Sequence, residues 1–165
     1  MDRRALLTAL CASGAASVAL GTTAQAAHTT GRQLIAAFAA TLSRHDIDAF
    51  AALFADSYVN HQVSAATPPP PSSLTPKQAS VAFFAARIKG LPDLKVTIEA
   101  QIENATMAAA SFLYEGTQTA PYMGVAPTGK RLRFTSCDIF RVVNGQFAEH
   151  WGMGDIAGVM AQLKE

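Results

Sequence analysis

The chain has 165 residues, of which 50% are hydrophobic and 15% are charged, and its formal net charge is +1. This apolar content is enough to build a folded core and argues against intrinsic disorder. The near-neutral charge leaves no basic excess that would attract nucleic acid, so we expect no nucleic-acid partner.

The N-terminal part of the chain has the features of a bacterial export signal. Arg3 and Arg4 precede an apolar stretch that ends at Leu20, and an A-x-A cleavage site follows at residues 24–26. The stretch is shorter than the roughly 20 residues that a membrane-spanning helix needs. The paired arginines favour the twin-arginine export route over the general one.

These features predict a signal peptide over residues 1–26 and one mature domain over residues 27–165. The protein would then be exported, periplasmic or secreted, with no membrane contact after the signal is removed. The alternative is an ordinary amphipathic N-terminal helix. The mature part keeps one cysteine, Cys137, which we expect to be buried and unreactive because it lies in an apolar-rich segment.

The first half of the mature part is predicted to be mainly helical. Apolar residues recur at helical spacing over residues 31–44, and Asp46 can cap a second helix. Residues 58–62 have the pattern of a short extended segment. A third helix is predicted to begin at Thr75-Pro76, since proline favours a first turn, and to end at Gly90.

The second half is predicted to form antiparallel strands. Apolar and polar residues alternate with the period of two that indicates half-buried strands. The dipeptide Asn144-Gly145 predicts a tight hairpin between the last two strands. Helices followed by a meander of strands define an α+β domain. The predicted strands cover about residues 94–103, 106–117, 130–143 and 146–153, and a final helix covers about residues 155–163.

The strand over residues 130–143 carries the candidate chemistry. One of its faces is apolar except for Ser136 and Asp138. An ionised carboxylate on such a face is costly unless it is paired, and otherwise its pKa rises. Asp138 is therefore a candidate proton-transfer group. The alternative is a structural aspartate held by nearby backbone or by an arginine.

The two-residue hairpin also predicts the register of the last two strands. Asp138 would lie opposite Trp151, and one surface would be lined by Ser136, Asp138, Glu149, Trp151 and Met153. His150, which titrates near neutrality and can move protons, would then point to the opposite face unless a β-bulge reverses the assignment. Its alternative role is that of a dimer-face or supporting histidine.

Tyr58-Val59-Asn60-His61 is a second polar cluster between apolar elements. Tyr58 and Asn60 share a side of an extended segment, and a phenol and an amide can hold a carbonyl group or a water. The alternative is a core tyrosine and a loop-capping asparagine. His61 and His150 lie far apart with no cysteine partner, so we expect neither a metal nor another cofactor.

Several short stretches of the chain form an ordered set: Tyr58-Val59-Asn60-His61, Gly90-Leu91-Pro92-Asp93-Leu94, Pro127-Thr128-Gly129-Lys130, Asp138-Ile139-Phe140-Arg141 and Glu149-His150-Trp151, the last followed by Gly154-Asp155. In this order they resemble the SnoaL-like polyketide cyclases, also called ester cyclases, of the nuclear transport factor 2-like superfamily. The resemblance implies a cone-shaped α+β fold in which N-terminal helices pack on a curved antiparallel sheet around a deep pocket. It also implies a homodimer formed through the outer sheet face.

The resemblance implies an intramolecular aldol condensation driven by an acid/base carboxylate, without a metal. Asp138 and His150 are the best matches for the catalytic role. The chain departs from the family at Gly152, where many relatives have aspartate, and at Gln118, where many have histidine. The residues expected to bind substrate are Tyr58, Asn60, His61, Phe84, Tyr114, Ser136, Trp151 and Met153.

Three functions stay open from the sequence. The first is an enzyme for aldol-type cyclisation, or for related lyase, isomerase or hydrolase chemistry, on a small apolar carbonyl compound. The second is a non-catalytic periplasmic protein that binds a small apolar molecule in the same pocket. The third is a dimeric domain without such a site, because a fold does not fix a function.

Overall fold

A computed structural model of the chain describes residues 29–63 and 69–164. The predicted signal peptide at residues 1–26 lies outside the described residues. Within the described part, none of the helices has the length and apolar character needed to cross a membrane.

The helices of the described part are α1 (Gly31–Ser43), α2 (Ile47–Ala52), α3 (Pro76–Gly90) and α4 (Ile156–Lys164). Their predicted starts are confirmed. The Asp46 side chain accepts a hydrogen bond from the Ala49 amide at the start of α2. Thr75 and Gln78 form a reciprocal capping box at the start of α3, with Pro76 in its first turn.

One sheet packs against these helices. Its strands are β1 (Phe54–Asn60), β2 (Lys95–Glu103), β3 (Met107–Thr117), β4 (Arg131–Val143) and β5 (Gln146–Gly154), in the spatial order β1-β5-β4-β3-β2. The strands β2 to β5 pair antiparallel, as predicted. The strand β1 begins earlier than the predicted segment at residues 58–62 and pairs parallel with β5. Irregularities in three of the pairings bend the sheet. The predicted α+β class is confirmed.

The core lies between the helices and the inner face of the sheet, which we define as the face that packs against them. Phe38 of α1 is at its centre and lies against phenylalanines from other helices and strands, with ring centroids 4.9–6.3 Å apart. Such ring pairs bury large apolar areas and add edge and offset stacking contacts. The partners of Phe38 are Phe50, Phe84, Phe112, Phe140 and Phe147.

Burial alternates along β4 as the period of two predicts. The inner face carries Ser136 and Asp138 between buried apolar side chains, so the predicted inward direction of Asp138 is confirmed. The prediction for Cys137 was wrong, because this residue is exposed on the outer face. Its outer-face neighbours Arg131 and Arg133 are exposed as well, as expected for a solvated face.

Candidate active site

A β-bulge in the last hairpin decides which side chains face the core. Asn144 and Gly145 have positive φ angles, as a tight two-residue turn requires, so the predicted turn is confirmed. Three residues later, Ala148 on β5 has no partner, because Val142 pairs with Phe147 and Arg141 pairs with Glu149. From that point on, every β5 side chain points to the face opposite the one predicted from the turn alone.

The bulge brings His150 onto the inner face beside Asp138. Asp138 lies opposite Gly152, and Phe140 lies opposite His150. The predicted pairing of Asp138 with Trp151 was therefore wrong, as was the outward direction of His150. The physical reason for both errors is the β-bulge, which the sequence analysis named as the one feature that would reverse the assignment.

Asp138 and His150 form a buried pair. His150 Nε2 lies 2.7 Å from Asp138 Oδ1, and the two residues are 5% and 4% exposed. Ser136 donates a hydrogen bond from its hydroxyl to the other carboxylate oxygen at 2.5 Å. The imidazole stacks on the Phe140 ring with centroids 4.7 Å apart. Both carboxylate oxygens are thus held, and the pair can share and transfer a proton in a site with little water.

Gly152 leaves the space in which this pair forms. A Cβ atom at Gly152 would lie 2.5 Å from both Asp138 Oδ1 and His150 Nε2, well inside contact distance. A side chain at this position would have to displace the pair. The absence of a side chain at Gly152 is therefore a geometric condition for the Asp138–His150 contact.

Tyr58 and Asn60 approach the pair from the edge strand. Tyr58 is buried, and its hydroxyl oxygen accepts from Ser80 at 3.5 Å, while the Asn60 amide donates to Ser80 Oγ at 3.3 Å. Burial raises the pKa of Tyr58 to about 12, against a lowering contribution from Ser80 and with a further raising contribution from the Asp138 charge. Tyr58 is thus protonated at neutral pH and can donate a hydrogen bond. Asn60 is exposed at the end of β1.

Three predicted pocket residues lie away from the pair, on the outer side of the sheet. His61 stacks on Trp151 with centroids 4.5 Å apart, and its Nε2 lies 2.8 Å from Glu149 Oε2. Met153 is 79% exposed. The bulge at Ala148 turns Trp151 and Met153 outward. His61 lies on the same side of the sheet, where its ring stacks on Trp151. The prediction that Trp151 and Met153 line the inner surface was wrong, and His61, predicted to bind substrate, lies with them on the outer side.

Arg87 is an inner residue that the sequence reasoning missed. It is 3% exposed, and its guanidinium carbon lies 4.7–5.1 Å from the centroids of four aromatic rings. Its Nε donates to the Tyr122 hydroxyl at 3.1 Å. A signal was present, because Arg87 follows two phenylalanines at helical spacing and so shares their face of α3. The four rings are those of Phe83, Phe84, Tyr114 and Phe134.

Tyr114 and Phe84, both predicted to line the site, are therefore placed against Arg87. Tyr114 is fully buried and stacks on Phe134 with centroids 5.1 Å apart. Its hydroxyl has no hydrogen-bond partner among the described residues. Burial and then the charge of Asp138 raise the pKa of this hydroxyl far above its ordinary value.

The side chain of Gln118 organises a loop. The fully buried side chain donates from Nε2 to the carbonyls of three loop residues at 2.9–3.2 Å. Its Oε1 accepts from the amide and the hydroxyl of Thr128 at 2.7 and 2.6 Å. This loop carries Tyr122, the partner of Arg87. Gln118 thus has a structural role here.

Two surface hollows lie apart from the pair. One of about 540 Å³ lies near Asp56 and Lys77, and one of about 360 Å³ is bordered by Ser136 and Met153. Neither is lined by Asp138 or His150.

Within residues 29–63 and 69–164, no three histidine, cysteine, aspartate or glutamate side chains are grouped as a metal site. The absence of a metal or cofactor from the reaction stays a prediction.

Solved structures share this fold. IdmH from Streptomyces antibioticus, a candidate polyketide cyclase, is 24% identical with a TM-score of 0.69, over 82% of this chain and 99% of that chain. TsrD from Streptomyces laurentii is 24% identical with a TM-score of 0.68, over 80% of this chain and 92% of that chain. AclR from Streptomyces galilaeus, a candidate hydroxylase, is 21% identical with a TM-score of 0.68, over 81% of this chain and 95% of that chain. Likeness at this level shows the fold alone.

The sequence itself shows the family. No curated protein sequence matches the chain. The family model described as SnoaL-like polyketide cyclase matches residues 32–163, which is most of the chain and contains all of the described helices and strands except one residue at each end. The chain belongs to the SnoaL-like polyketide cyclase family.

Proposed function

We propose that the protein is an acid/base enzyme that acts on a small, mostly apolar carbonyl compound, by aldol-type cyclisation or related lyase, isomerase or hydrolase chemistry. The observation that carries the proposal is the buried Asp138–His150 contact of 2.7 Å, with Ser136 on the second carboxylate oxygen. A proton-transfer pair held in a site with little water suits removal of a proton next to a carbonyl group.

In the proposed reaction the Asp138–His150 pair removes a proton from the carbon next to the carbonyl group. The C–H bond breaks, its electron pair forms the enolate double bond, and the proton passes to the pair. The enolate carbon then attacks a second carbonyl carbon, and the new alkoxide takes up a proton from the pair. Tyr58, whose pKa of about 12 keeps it protonated, would donate a hydrogen bond to the substrate.

A non-catalytic small-molecule binder is the second candidate. It is favoured by the burial of the pair and by the engagement of both Asp138 oxygens in hydrogen bonds. In that case the same groups would hold a ligand's polar atoms without turnover.

Deuterium exchange separates these two candidates. The purified protein would be incubated in D2O with 2-tetralone, a simple cyclic 1,3-diketone and a β-keto ester, and loss of the α-proton signal followed by NMR. We expect exchange above the buffer rate, which falls by at least about a hundredfold in Asp138→Asn and is kept in Cys137→Ser, an exposed neighbour on β4. Equal rates in Asp138→Asn and the parent would refute the site, and no exchange on any compound would favour the binder.

We also keep export and homodimer formation as proposals. Support for a dimer comes from apolar side chains on the outer sheet face, where Ile102 and Ile139 are exposed along with Met153. A second copy packed there would cover them. Light scattering of the purified protein tests the dimer, and a single mass equal to one chain would contradict it. Cell fractionation tests export, and protein found only in the cytoplasm would contradict it.

A further inference from the structure

Arg87 is a buried cation without a carboxylate partner in the described part of the chain. The ion pairs found there do not include it. An arginine stays charged in proteins, and burying an unpaired charge is costly. Of its five N–H groups, the one on Nε donates to Tyr122, which is its hydrogen bond among the described residues. The two terminal nitrogens are left for another acceptor.

Aromatic faces offset part of this cost. The guanidinium lies over the rings of Phe83, Phe84, Tyr114 and Phe134, where cation–π attraction favours the charge. Phe83 and Phe84 are only half-buried, so one wall of this aromatic box faces the protein surface. The box is apolar and carries a single positive charge, which suits a flat, singly charged anion better than a strongly hydrated phosphate.

Tyr114 supplies a second, independent observation. Its ring faces the guanidinium, with 4.7 Å from the guanidinium carbon to the ring centroid, and its buried hydroxyl has no acceptor for its proton among the described residues. A buried hydroxyl without a partner is rare and calls for an explanation. The hydroxyl stays protonated because burial raises its pKa, so it can donate a hydrogen bond to an acceptor brought by a ligand.

We propose that Arg87 and Tyr114 bind the anionic oxygen of a planar enolate or phenolate ligand. Asp138 is close enough for its charge to act on both residues. When the Asp138–His150 pair takes the α-proton, the negative charge leaves the pair and appears on the enolate oxygen. If that oxygen faces Arg87 and Tyr114, the negative charge near these two residues is the same before and after the proton transfer. This lowers the barrier of the proton transfer.

This inference rests on the proposed function only in placing the substrate carbon beside Asp138. The anion site itself would serve a non-catalytic binder equally well. Binding can therefore be measured apart from turnover, and the two proposals can fail separately.

The test uses 4-nitrophenol, whose phenol and phenolate forms differ in colour. Absorbance titration gives the pKa of the probe when free and when bound. We expect the parent protein to bind the phenolate at least about tenfold more tightly than the phenol, which lowers the bound probe's pKa by about one unit. Arg87→Met should remove this preference. Arg133→Met, which removes an exposed arginine from the outer face of β4, should keep it.

Tyr114→Phe is the second variant, in case Arg87→Met does not fold. It removes only a hydroxyl that has no partner among the described residues, so the fold and melting temperature should be kept and the phenolate preference should fall. Three results would overturn the inference: no binding of the probe by the parent, tighter binding of the phenol, or a phenolate preference unchanged in Tyr114→Phe. If the parent protein shows no proton exchange on any of the three compounds while its phenolate preference is intact, the proposed function alone would be refuted.

Discussion

The substitution Gly152→Ala tests whether an empty position on β5 is what allows the Asp138–His150 pair to form. The new methyl carbon would lie 2.5 Å from Asp138 Oδ1 and from His150 Nε2, where ordinary contact begins near 3.4 Å. Each atom has to move by about 0.9 Å. Both are ends of side chains that can rotate, but both are buried, so rotation takes them out of the hydrogen bond that joins them.

The expected cost follows from that lost contact. A hydrogen bond to a charged group contributes about 1.5–3 kcal/mol, and leaving a buried polar group without a partner costs about 1–3 kcal/mol. Because the two contributions overlap, we expect the free energy of unfolding to fall by about 2–4 kcal/mol. For a domain of this size the melting temperature would fall by roughly 8–16 °C. The exchange of α-protons should slow by at least about a hundredfold, because the pair loses its geometry.

The matched control is Gly154→Ala, on the same strand and the same face. A Cβ atom there would meet its nearest neighbours at 3.8 and 3.9 Å, which is ordinary contact. We expect this variant to melt and react like the parent. Thermal denaturation followed by circular dichroism, together with the exchange assay, gives both readouts. If Gly152→Ala matches Gly154→Ala in both, the geometric role of Gly152 is refuted.

Two further predictions concern the scaffold around the site. Gln118→Ala should lower the free energy of unfolding by about 2–4 kcal/mol, because it leaves three part-buried loop carbonyls without donors. Gln162→Ala near the surface should cost under about 1 kcal/mol, and equal urea midpoints for the two variants would contradict this prediction. Asp93 accepts from the amide and hydroxyl of Thr117, and mainly the amide bond lowers the pKa of its carboxyl from 3.8. Since the folded pKa is the lower one, the stability that Asp93 contributes is present above about pH 4 and is lost as the pH falls through the folded value. Asp93→Asn should therefore melt below the parent near pH 7 and closer to it near pH 2, and a difference that does not shrink in acid would contradict the assignment.

The sequence was sufficient where local patterns decide the structure. The alternation along β4 placed Asp138 on the buried face, and Asn144-Gly145 placed the hairpin. The same patterns argued against a buried Cys137, because its face of β4 also carries arginines. That prediction failed because the apolar content of the segment was weighed above its period.

The sequence was insufficient where the structure depends on one unpaired residue in a strand or on the pairing of strands that are far apart in the chain. Ala148 has no feature that marks it as a bulge, yet it turns His150 inward and Trp151 outward. The parallel pairing of β1 with β5 joins segments far apart in the chain, which local periodicity does not predict. Arg87 was overlooked because a charged residue on an apolar helix face is seldom buried without a charged partner.

The central claim is that Asp138 and His150 act as one proton-transfer unit, and a double-mutant cycle on the exchange rate tests it most directly. Exchange of 2-tetralone α-protons would be compared in the parent, Asp138→Asn, His150→Gln and the double variant. Groups that act as a unit are strongly non-additive, so the double variant should be no slower than the slower single variant. Losses that multiply, or a single variant that keeps the parent's rate, would contradict the claim.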